Sequence, residues 1–433
     1  MQQLVYKSLF MQADVIVIGG GAAGLMAAAA LSGAGRKVIV LEARHEAGGR
    51  IRTIADGAFE QPIEGGAEFV HGKPELTQEL LQQAKIKTVE AGGDIWRSEA
   101  GKLQKEEDFI AEYDALMASL KSLKEDVSVA QFLHTHFSLP KHQQLHQTLK
   151  SYVEGYYAGD MEKASAIALR EELEGAEDED KRVNGGYGGI MAYLQQQCES
   201  AGVQFYFNTP VRHISWQKGE VIVAAENGNQ YKATKVIVTV SVGMLQQERI
   251  AFSPAIESKM TAAKQLGFGG VIKIVMQLKT PFWKEEFGMN EMAFLFSTEQ
   301  IPTWWTQHPQ VLNLLTGWCA GPAATALKDE TDEVLFEKAV ASLANCFTLS
   351  VAAVKEKISA WKVFNWPADA YTGGGYSYLT VESESAIKEL TTPVEATIYF
   401  AGEGLHYGME IGTVEAALQS GKQVAQQVIK SYS

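Results

Sequence analysis

The chain has 433 residues, 46% hydrophobic and 21% charged. That is beyond the size at which one hydrophobic core usually stops growing, so two domains are expected, and global disorder or a short-repeat solenoid is excluded. Its 52 acidic against 38 basic residues leave a net charge of -14 with no Lys/Arg cluster to offset it, a field that disfavours nucleic acid and anionic lipid as partners and suits a cationic ligand.

In chain order, the first informative stretch is Val15 to Gly35, which carries no charge and by length alone could pass for a membrane span. Gly19, Gly20, Gly21 and Gly24 divide it instead into a four-residue strand and an Ala-rich helix. No later segment is apolar over a spanning length, so no membrane partner is expected. Val15 to Ile18 reads as a parallel strand buried on both faces. The first glycine permits a tight turn, Gly21 lets backbone approach a pyrophosphate, and Gly24 allows close packing of the helix Ala22 to Ser32, whose free N–H groups favour phosphate. A second strand, Lys37 to Leu41, ends in Glu42, near the spacing of about 20 residues at which a carboxylate accepts the ribose hydroxyls of a dinucleotide. Gly19, Gly21, Ala22, Ala23, Gly24 and Glu42 are therefore candidate cofactor contacts in a Rossmann-like α/β domain.

Glu42 is followed by Ala43, Arg44 and then Gly48-Gly49-Arg50. This resembles the ExxxxxGGR extension of the flavin-containing amine oxidase superfamily, which includes monoamine oxidases, polyamine oxidases and lysine-specific histone demethylases. The resemblance implies FAD, with Ala43, Arg44, Gly49 and Arg50 against the cofactor, Arg50 acting as a second anion clamp. No second GxGxxG appears, as an NAD partner would need. Glu64-Gly65-Gly66-Ala67-Glu68-Phe69-Val70-His71-Gly72 resembles the family segment under the flavin, which implicates Gly66, Ala67, Glu68 and Phe69 and places His71 at the substrate entrance. The His-Gly ending is most like the polyamine oxidases. Residues 103 to 170 show helical periodicity at Phe109, Tyr113, Leu116 and Leu120, and the acidic run Glu171 to Asp180 reads as a solvated loop. Val183 to Gly189 resembles the return to the FAD domain, Val211 and the strand Lys235 to Val240 the adenine half, and Gly402, Glu403, Gly412, Thr413 and Val414 the segment whose helix N-terminus faces the flavin. The division implied is discontinuous: 11–80, 184–265 and 392–433 bind FAD, while 81–183 and 266–391 form a substrate domain of mixed sheet plus helices.

Val271 to Leu278 reads as a strand with one basic residue, Lys273, among apolar neighbours. A surface lysine on an edge strand is the ordinary reading of that pattern. The family resemblance implies instead a catalytic lysine that positions a water beside flavin N5 and assists reaction with dioxygen, its pKa lowered by desolvation. By the same resemblance, Trp366 lies beside the isoalloxazine and Tyr376 before its re face, completing a catalytic set of Lys273, Tyr376, Trp366 and His71. Gly375 stands where monoamine oxidases carry the flavin-linked cysteine, which implies noncovalent FAD. Thr413 stands where those enzymes have a second cage tyrosine, which with His71 favours a polyamine or long alkyl amine, Glu68 and Glu154 being candidates to hold distal ammonium groups.

The activity implied is hydride transfer from the carbon beside nitrogen to flavin N5, with dioxygen as acceptor and a small-molecule amine as substrate. An L-amino acid oxidase would require a pocket arginine, for which Arg170, Arg212 and Arg249 are candidates. A histone demethylase is disfavoured by the lack of a long heptad insertion, and a non-catalytic flavin-binding module by the lysine and aromatic set. Cys198, Cys319 and Cys346 lie far apart with no CxxC pair, so neither a disulfide framework nor a metal site is expected, and the chain suits a reducing cytoplasm.

Overall fold

The computed structural model describes residues 11–106, 112–175, 180–406, 408 and 410–432. Five short apolar strands form a wholly parallel sheet in the order Gln204–Tyr206, Val38–Leu41, Val15–Ile18, Lys235–Val238 and Ile398–Phe400. Val15, Val17 and Ile237 pack on one face against Ala27, Leu31 and Val424 of the helices Ala22–Gly33 and Val414–Lys430. Ile16, Ile18 and Val236 pack on the other against Ile214, Val223 and Tyr231 of a second five-stranded sheet. Burial on both faces explains why these strands read as continuous rather than alternating apolar runs.

The expected helix and the first two strands appear within a residue or two of their expected limits. Gly24 explains how the helix comes so close: a Cβ there would lie 1.9 Å from the Gly19 carbonyl oxygen. Gly421 plays the same part for the final helix, where a Cβ would lie 2.2 Å from the Ala23 carbonyl oxygen.

A seven-stranded mixed sheet runs Ile358–Asn365, Val271–Leu278, Leu314–Ala320, Thr303–Thr306, Met292–Ser297, Asp94–Glu99, Lys102–Lys105. Its pairs are antiparallel except Met292–Ser297 with Asp94–Glu99. Side-chain alternation sorts the Lys273 strand: Ile272, Ile274 and Met276 face the core beneath helix Asp332–Phe347, whereas Val271 and Val275 join Phe364 and Trp366 on the opposite face. Lys273 shares that second face.

The structure revises the reading of 103–170. The region opens with the strand Lys102–Lys105, and helices begin at Tyr113–Lys121. Leu116 and Leu120 are buried, but Tyr113 is exposed, and Phe109 lies outside the described residues. The acidic run is no simple loop either: Glu171 to Glu174 complete the helix Ala166–Gly175, Asp180 bonds to His71, and 176–179 lie outside the described residues. The helical face carrying Leu169 and Leu173 is buried against Leu116 and Leu120, and that burial overrides the charge repulsion. No single helix among the described residues is long and apolar enough to cross a membrane.

Because the atom opposite Gly24 is backbone and cannot rotate away, Gly24→Ala should lower stability by about 2–3 kcal/mol, the upper range for overpacking. A melting temperature equal to that of the unsubstituted protein would show that the helix can retreat at no cost.

Candidate active site

One cavity of about 1480 Å³ runs from the glycine-rich turn to the helices Gln143–Lys150 and Ala166–Gly175. All the predicted site residues line it except Gly24, which packs beneath it. At the turn end, Gly19 has φ +107°, a conformation that favours glycine. Glu42 is anchored by two backbone donors, Gly20 N to Oε2 at 2.6 Å and Arg44 N to Oε1 at 2.8 Å. Burial raises its carboxyl, and those backbone N–H groups oppose the shift. Ala22, Ala23, Ala43, Gly49 and Val211 line the same end.

Both arginines of the extension are held by carboxylates. Arg44 Nη2 donates to Asp369 at 2.7 Å, and Arg50 donates to Glu403 and to the Gly375 carbonyl oxygen. Glu403 also accepts from Ser377 Oγ at 3.2 Å. It is therefore a partner of Arg50 as well as a wall residue beside Gly402 and Gly412. Thr413 caps the helix Val414–Lys430, its Oγ accepting from Ala416 N at 3.2 Å. The first turn of that helix lines the cavity at Val414, its dipole positive there.

Lys273 is 1% exposed, and its burial requires a partner. The structure supplies Glu68: Nζ donates to Oε2 at 2.7 Å and to the Gly66 carbonyl oxygen at 3.3 Å. The other oxygen of Glu68 accepts from Arg182 Nε at 3.1 Å, Trp305 Nε1 at 3.1 Å and Gln307 Nε2 at 2.9 Å. Glu68 is thus committed to three side chains besides Lys273, which corrects the expectation that it is free to hold a distal ammonium group. Burial would raise its carboxyl, but Lys273 and then Arg182 reverse this and hold it at about 2. Glu154 is also engaged, by Lys150 one helical turn away. Gly66 and Ala67 continue the segment, and Phe69 lies under the Arg182 guanidinium, 4.6 Å from its ring centre.

Trp366 is buried and donates to the Gly65 carbonyl oxygen at 2.9 Å, fixing that segment. The Tyr376 hydroxyl donates to the Tyr156 carbonyl oxygen, and burial pushes its phenol well above the ordinary value. His71, partly exposed, meets Asp180 at 2.8 Å at the cavity rim.

Several wall residues escaped the sequence reading. Trp318 pairs opposite Lys273 across the sheet, stacks on Tyr376 at 6.3 Å between ring centres, and donates to the Gly155 carbonyl oxygen at 2.8 Å. Both carbonyls belong to the π-helical turn Ser151–Tyr156, whose terminal oxygens lack helical partners and so anchor the two rings. Trp305 could have been found from strand alternation: in Thr303–Thr306, Trp304 points to the core and its neighbour to the cavity. Arg182 and Gln307 carried no local signal.

A nearby carboxylate has the opposite sign. Glu64 Oε1 accepts from Thr53 Oγ and Tyr187 N, while its buried Oε2 lacks a partner among the described residues. Burial, only partly offset by Lys273, raises the carboxyl to about 7. A group raised on folding contributes stability that is complete below its unfolded value, near 4.5, and is lost as pH rises through about 7. Glu64→Gln should therefore stabilise the protein on the order of 1–3 kcal/mol at pH 8 and little at pH 5. Thermal unfolding at the two pH values checks this, and an equal effect at both would refute it.

The profile of the family described as "Flavin containing amine oxidoreductase" matches residues 22–429. The chain is 26% identical to polyamine oxidase 2 of Arabidopsis thaliana over 95% of its own length and 87% of that protein's. It is 25% identical to human lysine-specific histone demethylase 2 over 96% of its own length, spanning 53% of that protein. Putrescine oxidase bound to putrescine has the same fold, with TM-score 0.80 and 22% identity over 97% of this chain and 100% of that one. Cyclohexylamine oxidase from Brevibacterium oxydans IH-35A has TM-score 0.80 at 20% identity over 97% and 99%. A glycine turn, a clamped arginine and a buried lysine in one cavity, with a family match over almost the whole length, establish the chain as a member of the flavin-containing amine oxidoreductases.

Proposed function

We propose that this enzyme oxidises a polyamine or long alkyl amine, with FAD held noncovalently and dioxygen as the electron acceptor. The observation that carries this reading is the single cavity in which Lys273, Trp366 and Tyr376 share one space with the Gly19–Gly21 turn. Glu42 suits the ribose of FAD, and the turn and the start of helix Val414–Lys430 suit its negatively charged groups. A bound FAD would supply the acceptor for a hydride from the carbon beside the amine nitrogen and the electrons for dioxygen, the products being hydrogen peroxide and an imine that water hydrolyses. A Cβ at Gly375 would lie 2.4 Å from Val271 Cγ2. A linking cysteine would therefore require Val271 to shift, which supports noncovalent binding.

The protein residues supply orientation and charge control. Tyr376 and Trp318 offer aromatic faces to a cationic amine. Two of the three Lys273 ammonium protons are committed to Glu68 and Gly66, leaving one donor for the cavity it lines. Toward the rim, Glu172 and Asp180 line the wall. Burial raises the Glu172 carboxyl, His71 lowers it and Asp180 raises it, so this end favours a second cationic nitrogen. The amino acid oxidase reading is weakened by the arginines. Arg44, Arg50, Arg97 and Arg212 line the cavity, and each already has a carboxylate partner. Arg170 and Arg249 do not line it. Three buried free thiols support the assignment to the cytoplasm.

An amine panel assayed for peroxide, with the absorption spectrum of the acid-precipitated supernatant, tests the whole reading. Diamines and polyamines should be turned over, and free flavin should appear in the supernatant. Because the reacting nitrogen must be unprotonated, kcat/KM should rise from pH 6 toward alkaline values, and a flat profile would count against the mechanism. Glu172→Gln should raise KM for a polyamine about ten-fold, the scale of one hydrogen bond to a charged group, while leaving a simple alkyl monoamine unaffected. Equal effects on the two substrates would remove its role.

A further inference from the structure

We propose that Glu68 is a positioning residue that fixes the Lys273 ammonium and keeps it charged, with Arg182, Trp305 and Gln307 holding the carboxylate in place. The inference rests on the role proposed above for Lys273. Its basis is geometric. The lysine comes from the strand Val271–Leu278, the carboxylate from the segment after Ile63–Glu64, the guanidinium from the strand Lys181–Val183, and the indole and amide from Thr303–Thr306 and the residue after it. Three separate stretches converge on one anion carried by a fourth. Its Oε1 takes three donors and its Oε2 takes Lys273. The Arg182 Nη atoms are in turn tied to the carbonyl oxygens of Thr306 at 3.0 Å and His308 at 3.2 Å.

An ammonium on a four-carbon stem has many rotamers, and an anion at 2.7 Å selects one. The same anion favours the charged form in a place where burial would favour the neutral amine. The charged or titratable groups that face the lysine tip are Glu68, Glu64 on the same segment, and Arg182 acting through Glu68. Paired strands place Trp318 and Phe364 beside it, Trp305 lies 5.4 Å from Nζ, and Tyr376 stacks on Trp318. Among these groups only Glu68 can neutralise Lys273 by direct contact. Arg182, Trp305 and Gln307 occupy Oε1, which leaves Oε2 directed to Lys273.

The test compares the FAD-loaded protein with Glu68→Gln, Glu68→Asp and Lys273→Met variants by two measurements. The first is the 15Nζ resonance of Lys273 in lysine-labelled oxidised protein, assigned by its loss in Lys273→Met. The second is the stopped-flow rate at which dioxygen reoxidises the reduced flavin, measured from pH 6 to pH 9. In the unsubstituted protein and in Glu68→Asp, the resonance should remain that of an ammonium throughout and the rate should be nearly flat. In Glu68→Gln, the resonance should become that of a neutral amine within the range, and reoxidation should fall about ten-fold or more toward pH 9, with substrate reduction of the flavin changed less than about three-fold. A Lys273 resonance and rate profile in Glu68→Gln identical to those of the unsubstituted protein, beside a slow Lys273→Met, would overturn the positioning role. Should Glu68→Gln not fold, Trp305→Phe, which removes one donor from the carboxylate and keeps the ring, decides: reoxidation slowed more than substrate reduction supports the role, and both rates unchanged overturn it. Normal reoxidation in Lys273→Met would instead overturn the role of the lysine itself, so the two failures are distinguishable.

Discussion

A buried ammonium cannot stand alone, and the need to neutralise Lys273 organises the centre of this molecule. Its strand is buried along its whole length, so the side chain opens on the cavity rather than on the outer surface. The answer is Glu68, itself buried, which then has more acceptor capacity than one lysine can fill. Arg182, Trp305 and Gln307 complete it. Removing one partner of such a cluster costs about 3–5 kcal/mol in well-studied cases, because it strands the remaining charge. The network therefore fixes the position of the segment carrying Gly66 against the mixed sheet.

Around that fixed point, close backbone approach shapes the rest of the cavity. Gly24 and Gly421 let the first and last helices lie against the turn and against each other, and side chains in either place would meet backbone oxygen. Trp366 holds the Gly65 carbonyl, and a Cβ at Gly66 would lie 1.8 Å from the Arg50 carbonyl oxygen. Arg50 is thus positioned by the same segment that carries Glu68. The two ends of the cavity are coupled through the short segment Gly65 to Glu68.

Charge is distributed with equal economy. The cavity arginines are each matched with a carboxylate, so the wall offers little free positive charge outside the glycine turn and helix N-termini. Acidic residues remain toward the rim, where Glu172 and Asp180 sit with His71. That asymmetry, with backbone N–H groups and a helix N-terminus at one end and carboxylates at the other, suits the dinucleotide and the amine proposed above. The aromatic rings of Trp318 and Tyr376 lie between the two ends, pinned by carbonyls of a π-helical turn.

Sequence alone determined the cofactor half. The turn, its helix and Glu42 lie within one short stretch, and their roles follow from local backbone geometry that glycine spacing encodes. It also singled out Lys273, Trp366 and Tyr376, because family resemblance marks single positions. Only the tertiary structure decided what neutralises the lysine. Glu68 read as a free carboxylate because its partners are all distant in sequence, arriving from residues 182, 273, 305 and 307. Likewise, Trp318 became a wall residue only through strand register opposite Lys273, and the acidic run became helix and rim through burial of Leu169 and Leu173. Contacts between distant segments depend on register and packing, which no local pattern of residues specifies.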